Sequence, residues 1–106
     1  MLTLVLISTT FETKEDAEKT AQLLLNEKLI ACAQVSGPIT SCYRWEGSVV
    51  TSAEFTLTLK TTAGLLELVT KRLKEVHPYD LPEIILQADT QGSAEYVKWV
   101  ESEVGK

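Results

Sequence analysis

The densest group of chemically capable side chains is the string His77-Pro78-Tyr79-Asp80-Leu81-Pro82-Glu83, named here the 77–83 loop. It holds an imidazole, a phenol and two carboxylates between two prolines, which stiffen the backbone that carries them. Functional groups held in set directions on a loop suit a binding site. An imidazole with carboxylates suits a divalent ion such as copper or zinc. The sequence therefore predicts a metal site with His77, Asp80 and Glu83 as ligands and the phenol of Tyr79 nearby.

The same loop also has a purely structural interpretation. His77 and Tyr79 would then hold a helix-to-strand connection by hydrogen bonds, and no ligand would be involved. If a site exists, Lys60 at the end of the third predicted strand is expected to counter a carboxylate or an anionic ligand. One ion cannot contact all five of these side chains, because neighbours in an extended segment point to opposite sides. The five are His77, Tyr79, Asp80, Glu83 and Lys60.

A nucleophilic enzyme would need Cys32 or Cys42 beside His77. Neither cysteine lies in a nucleophile motif, and nothing in the sequence brings them together with the imidazole. We therefore expect no enzyme. The two cysteines are ten residues apart in one extended segment, which is about 33 Å, whereas a disulfide needs Cα atoms within about 7 Å. We expect both thiols to be free.

The elements that must position these residues alternate along the chain. Thr13 is an N-cap candidate, the break at Gly37-Pro38 indicates a bulge, and His77 must end its helix because it precedes a proline. The predicted elements are strands over residues 2–7, 29–45, 53–60 and 83–88, a turn at 46–48, and helices over 14–28, from Thr61 or Thr62 to 76, and from Gly92-Ser93 to 103.

This order, β-α-β-β-α-β with an added C-terminal helix, predicts a ferredoxin-like α+β fold with an antiparallel sheet. Both main helices cover one face of such a sheet, so the other face lacks a cover within the monomer. A hairpin strand of about 16 residues spans about 50 Å if straight, more than the domain can enclose. The hairpin therefore bends or projects, and we infer a homo-oligomer in which a second copy pairs with it.

Composition limits the number of domains and the classes of partner that the chain can have. The 106 residues fit a single domain over residues 1–106, and an apolar fraction of 44% supports a core. The net charge of −5 argues against nucleic-acid or anionic-membrane partners and leaves cations as plausible small ligands. No apolar run is long enough for a membrane span, and the start of the chain at Met1 lacks the features of a secretory signal, so we expect a cytoplasmic protein.

Three functions known for this topology are excluded by particular residues. The segment after the first predicted strand, 8–13, lacks the Cys-x-x-Cys pair of a copper chaperone and the Gly and Arg of an acylphosphatase. An RNA-binding sheet needs aromatic side chains on its open face. The third strand instead places there the side chains of Glu54, Thr56, Thr58 and Lys60.

Several strings together resemble the CutA family across nearly the whole chain. They are Ala31-Cys32-Ala33, Tyr43-Arg44-Trp45-Glu46-Gly47, Leu59-Lys60-Thr61-Thr62, the 77–83 loop, and Tyr96-Val97-Lys98-Trp99-Val100. The resemblance implies a homotrimer similar to the PII signalling proteins, with tolerance to divalent cations and copper binding in some members. It adds Cys32 and Trp45 to Tyr79 and Lys60 as expected ligand-binding residues.

Copper-binding members of the family can carry a Cys at the end of the first strand and a second His before the His-Pro pair. Here those positions hold Ser8 and Val76. Of the Cys and the two His residues, this sequence therefore keeps only His77. The expected function is a trimeric cation-tolerance protein that binds a divalent cation or a small ligand. The alternative is a PII-like signalling module that reports a ligand to a protein partner.

Overall fold

The computed structural model describes residues 2–105, so Met1 and Lys106 lie outside it. Its strands form one antiparallel sheet in which the second strand of the chain is followed by the third, the first and the fourth, and this order confirms the ferredoxin-like fold. Every helix within the described range is too short or too polar to cross a lipid bilayer. The elements are β1 (Leu2–Phe11), α1 (Lys14–Asn26), β2 (Cys32–Trp45), β3 (Ser48–Thr61), a 3-10 turn (Ala63–Leu65), α2 (Leu66–Val76), β4 (Ile84–Gly92) and α3 (Ala94–Glu103).

The main core lies between one face of the sheet and the helices α1 and α2. Alternate residues of β1 and β3 point to this face, as a period of two requires. Burial of these apolar side chains is the main term that holds the fold. The buried members are Val5, Ile7, Phe11, Ala17, Ala21, Leu24, Ile30, Leu57, Leu59, Val69 and Leu73.

The second face of the sheet is partly covered, which corrects the expectation that it is bare. Val97 and Val100 of α3 are buried against Leu4 of β1, with Leu6 and Ala31 at the edge of this smaller cluster. The C-terminal helix therefore belongs to the opposite layer from α1 and α2. The rest of that second face, named here the open face, carries the alternate residues of β2, β3 and β4.

The strands are longer than the sequence indicates. β1 continues through Ser8, Thr9 and Thr10 to Phe11, so most of the predicted 8–13 loop is strand. These polar residues pair with β3 on one side, and Ser8 and Thr9 also pair with β4 on the other, which satisfies their backbone groups. Likewise β3 begins at Ser48 and β4 runs on to Gly92. The polar residues at these strand ends predict loop instead of strand, because β-propensity depends on the neighbouring strands.

The β2–β3 hairpin gives the molecule its length of 45 Å. Its tip is a two-residue turn in which Glu46 and Gly47 both have positive φ, of 49° and 82°, as a type I′ turn requires. The predicted bulge is present, because the pairing register shifts between Ser36 and Ile39. Gly37 has a φ of 139°, and a Cβ there would lie 2.9 Å from the Phe55 ring.

The structure confirms the predicted helix caps and helix ends at some positions and not at others. The hydroxyl of Thr13 accepts from the backbone N–H of Asp16, so the first N-cap is confirmed. α1 ends at Asn26 rather than 28, because Lys28 takes a left-handed φ of 59°. Neither Thr61 nor Thr62 caps a helix with its side chain: the Thr61 hydroxyl donates to the carbonyl of Leu29 instead.

Candidate functional site

His77 lies at the junction between α2 and the 77–83 loop. α2 stops at Val76, and His77 takes an extended conformation because the next residue is a proline. Its imidazole is 8% exposed and stacks on Phe11 with ring centroids 4.3 Å apart. The only histidine of the sequence is therefore part of the core rather than a side chain presented to solvent.

Both ring nitrogens of His77 have partners within the protein. Nε2 lies 2.9 Å from the carbonyl oxygen of Thr10 and 3.1 Å from the hydroxyl of Thr9. Nδ1 accepts a hydrogen bond of 3.1 Å from the backbone N–H of Tyr79. These partners assign the neutral tautomer with the proton on Nε2. Burial lowers the pKa of His77, and the hydrogen bond to Thr10 opposes that effect.

The predicted metal set of His77, Asp80 and Glu83 is not brought together by the chain. The imidazole is turned inward, whereas the two carboxylates are exposed. Among residues 2–105, no three His, Cys, Asp or Glu side chains converge in a way that could hold an ion. The geometry of His77 matches the structural interpretation of the loop.

Tyr79 links the loop to the hairpin. Its hydroxyl donates a hydrogen bond of 2.8 Å to Oε2 of Glu54 on β3. Burial raises the pKa of Tyr79, and the hydrogen bond to Glu54 raises it further. The phenol therefore stays protonated as the donor, and Glu54 serves as the acceptor.

A cleft of about 980 Å³ lies between the hairpin and the 77–83 loop, and we name it the hairpin cleft. Its volume falls in the range of small-molecule sites. Two sequence-predicted ligand residues, Tyr79 and Trp45, line it, and so do Asp80 and Glu83 of the predicted metal set. The lining also includes residues that the sequence does not predict, among them Glu12, Tyr43 and Glu54.

The two other predicted ligand residues, Lys60 and Cys32, do not line the hairpin cleft. They face each other across β2 and β3, near α3. The Lys60 amino group donates to Oε1 of Gln34 at 2.9 Å and lies 5.6 Å from the centre of the Tyr96 ring. Burial raises the pKa of Tyr96, and so does a hydrogen bond to Cys32. Lys60 therefore does not counter the loop carboxylates.

The thiols provide no nucleophile–base pair. Both cysteines are free, as expected, and Cys42 is exposed. Cys42 lines the hairpin cleft, where its sulfur lies 3.7 Å from the hydroxyl of Thr51. The imidazole that could activate a thiol is held by Thr10 and Tyr79 instead. The hairpin cleft thus presents carboxylates, aromatic faces and hydroxyls.

The fold and the site define a small ferredoxin-like domain with an aromatic-walled, carboxylate-bearing cleft between its hairpin and the 77–83 loop. Residues 5–103 match the family model described as CutA1 divalent ion tolerance protein, so the chain belongs to the CutA1 family.

Known relatives match this chain over nearly its whole length. The divalent-cation tolerance protein CutA of Thermus thermophilus is 37% identical over 91% of this chain and 93% of its own. The protein of the same name from Pyrococcus horikoshii is 39% identical over 97% and 100%. The crystal structure of CutA1 from Oryza sativa has a TM-score of 0.92 at 33% identity, covering 99% of this chain and 96% of that one. The chain spans about half the length of the curated chloroplastic relatives from rice and Arabidopsis thaliana, 55% and 54%.

Proposed function

We propose that this protein is a homotrimer that confers tolerance to divalent cations. It does so by binding divalent ions, including copper, at the hairpin cleft. The observation that carries this proposal is the lining of the cleft, where Glu12, Glu54, Asp80 and Glu83 face one space. Carboxylate oxygens are ligands for divalent ions. We also propose that it acts in the cytoplasm, and by binding rather than by catalysis.

The open face supports the trimeric part of the proposal. Large apolar side chains stay exposed there, among them Ile39, Tyr43, Trp45 and Ile85, with Trp45 at 48%. The outer edges of β2 and β4 have no partner strand within residues 2–105. A second copy would bury these side chains and pair such an edge. Obligate interfaces of this kind bury more than about 2,000 Å².

The ion is proposed to contact carboxylates rather than the imidazole. An ion at His77 would have to displace the carbonyl of Thr10 or the N–H of Tyr79, leaving a buried polar group without its partner. Asp80 and Glu83 are exposed and free to turn toward an ion. One chain does not bring three ligands together, so a neighbouring copy is proposed to complete the coordination.

Two measurements on the purified protein test this proposal. Light scattering at micromolar concentration is expected to give a mass near three times 11.7 kDa. Calorimetric titration with Cu²⁺, Zn²⁺, Mg²⁺ and Ca²⁺ is expected to show stoichiometric binding of at least one ion. The double variant Asp80→Asn, Glu83→Gln should weaken that binding. A matched control, Glu101→Gln with Glu103→Gln, removes the same charge from α3 outside the cleft and should not.

The outcomes separate the competing interpretations. A monomer contradicts the trimer, and equal weakening by both double variants places the ion on diffuse surface charge. If none of the four ions gives binding heat but a parallel titration with a nucleotide does, the protein is better described as a PII-like module that signals through a protein partner.

A further inference from the structure

We propose that the ring of His77 is a pH-sensitive latch. In its neutral form the ring holds the 77–83 loop against the sheet, and its protonation releases the loop. The loop forms one side of the hairpin cleft, so its release opens the cleft on that side while the rest of the domain stays folded. This conformational change belongs to the fold itself and does not depend on what the cleft binds.

The 77–83 loop is held to the rest of the domain by few side chains. Among residues 2–105, every side-chain hydrogen bond that joins the loop to another element involves His77 or Tyr79. A segment with few buried contacts opens at a small cost in free energy, and the two prolines stiffen this one so that it moves as a unit. The exposed residues of the loop are Pro78, Asp80, Leu81 and Glu83.

The contacts of the His77 ring exist in one protonation state only. Nε2 carries the proton and lies 2.9 Å from the carbonyl oxygen of Thr10, while Nδ1 accepts from the backbone N–H of Tyr79 at 3.1 Å. A second proton, on Nδ1, would face that N–H instead of an acceptor. The ring is 8% exposed, so water replaces the lost acceptor only when the loop moves outward.

The groups around the ring set the direction of the change. The charges that act on it are the carboxylates of Asp16 on α1 and Glu54 on β3, and both favour the protonated ring. Burial opposes them with the largest effect and lowers the pKa of His77. The closed loop therefore favours the neutral ring, and acid favours the open loop. The residues of β1 that contact the ring are uncharged: Thr9, Thr10 and Phe11.

Tyr79 connects the latch to the hairpin. Its hydroxyl donates to Oε2 of Glu54 at 2.8 Å, and its ring lies 4.9 Å from the His77 ring. Burial raises the pKa of Tyr79, and so does the hydrogen bond to Glu54. The phenol therefore stays a donor throughout the pH range in which an imidazole titrates. When the loop moves outward, this hydrogen bond breaks and the Glu54 side chain is released with it.

The test is amide hydrogen exchange, followed by NMR on the full chain between about pH 8 and about pH 5. Each rate is divided by that of an unstructured chain at the same pH. Below about pH 6.5 the protection of the Tyr79 amide should fall by up to about tenfold per pH unit, because opening takes up one proton. Low concentrations of urea should leave this amide unchanged but accelerate the core amides of Ile7 and Leu24, since local opening exposes little surface.

Four variants assign the effect to the imidazole. His77→Gln removes the titratable ring and should abolish the pH dependence at position 79. Tyr79→Phe keeps the imidazole and the backbone N–H, so it should keep that dependence with lower protection at every pH. In Asp16→Asn the imidazole nitrogen shifts should titrate at a lower pH, because a carboxylate that favours the proton is gone. Glu15→Gln removes the same charge from the same turn of α1 and should not shift the titration.

Any one of several results would overturn the proposal. The pH dependence could persist in His77→Gln, or vanish in Tyr79→Phe, which would assign the sensor to the phenol. The Tyr79 amide could respond to urea as strongly as those of Ile7 and Leu24, which would identify global unfolding. Equal shifts in Asp16→Asn and Glu15→Gln would indicate diffuse surface charge. A mass by light scattering that falls together with the protection would attribute the change to separation of copies.

Discussion

Lowering the pH from about 8 to about 5 is expected to destabilise the protein through its single histidine. Nδ1 of His77 accepts the N–H of Tyr79 at 3.1 Å, so a proton added at Nδ1 would face that N–H and abolish the bond. Burial of the ring, the largest effect, lowers the pKa of His77, while the hydrogen bond to Thr10 and the charges of Asp16 and Glu54 oppose the shift. The folded state therefore favours the neutral imidazole.

The direction and size of the effect follow from linkage. In the unfolded chain the imidazole regains its ordinary pKa of about 6.5. Below that pH the unfolded state binds more protons than the folded state, so the free energy of unfolding falls as the pH falls. A single proton limits the slope to about 1.4 kcal/mol per pH unit. The loss begins near pH 6.5 and levels off once the pH has passed below the folded-state pKa of His77.

The assay is urea unfolding at steps between about pH 8 and about pH 5, at one fixed protein concentration. The matched variant is His77→Gln, which carries no titratable ring. It should be less stable at pH 8 by about 1–3 kcal/mol, since the Thr10 carbonyl loses its partner, but it should lose the slope near pH 6. The hydrogen bond from Arg72 lowers the pKa of Glu27. The stability that this carboxylate contributes is therefore lost only below its ordinary pKa of 4.5, outside this pH window.

A wild-type stability that stays flat across this range, or rises toward acid, would refute the assignment of Nδ1 as an acceptor. So would a slope that persists unchanged in His77→Gln. Nitrogen chemical shifts of the imidazole provide a direct check, because the neutral tautomer with the proton on Nε2 has a distinct signature.

Three further perturbations have defined outcomes. Tyr79→Phe removes the 2.8 Å hydrogen bond to Glu54 and should lower the free energy of unfolding by about 1 kcal/mol, with no change in the slope near pH 6. Gly37→Ala should cost about 2 kcal/mol, because its φ of 139° is strained for any side chain and the new Cβ meets the Phe55 ring at 2.9 Å; a neutral result would contradict the bulge geometry. Thiol counting after denaturation without reductant should return two free thiols per chain, and a count of zero would contradict the extended hairpin.

The sequence predicts the element order well because the signals are local. The β3 pattern of alternating apolar residues and the N-cap of Thr13 each depend on neighbours within a few positions. Strand ends depend on partners instead. Ser8 and Thr10 look like loop residues, yet pairing with Thr58 and Thr56 makes them strand. No local pattern reports a partner that is about fifty residues away.

The residues that line the hairpin cleft follow from the sequence only in part, for the same reason. The 77–83 loop stands out by composition, and it does border the cleft. The carboxylate that Tyr79 meets is Glu54, 25 residues away, and the carbonyl that His77 meets is that of Thr10, 67 residues away. Lys60 shares a face with Glu54 by alternation, but its side chain is engaged by Gln34. Which polar side chains meet is decided by register and rotamer, and spacing along the sequence carries neither.

His77 influences the hairpin cleft without lining it. Its ring holds the backbone N–H of Tyr79, and the hydroxyl of Tyr79 in turn holds Glu54. Removing the imidazole is therefore expected to loosen a cleft carboxylate, so weaker cation binding in His77→Ala does not by itself identify a ligand. Tyr79→Phe separates the two roles, because it keeps the imidazole and breaks the link. If His77 acts through Tyr79, both variants weaken binding, and the double variant is no worse than His77→Ala alone. If the imidazole contacts the ion, Tyr79→Phe leaves the affinity unchanged.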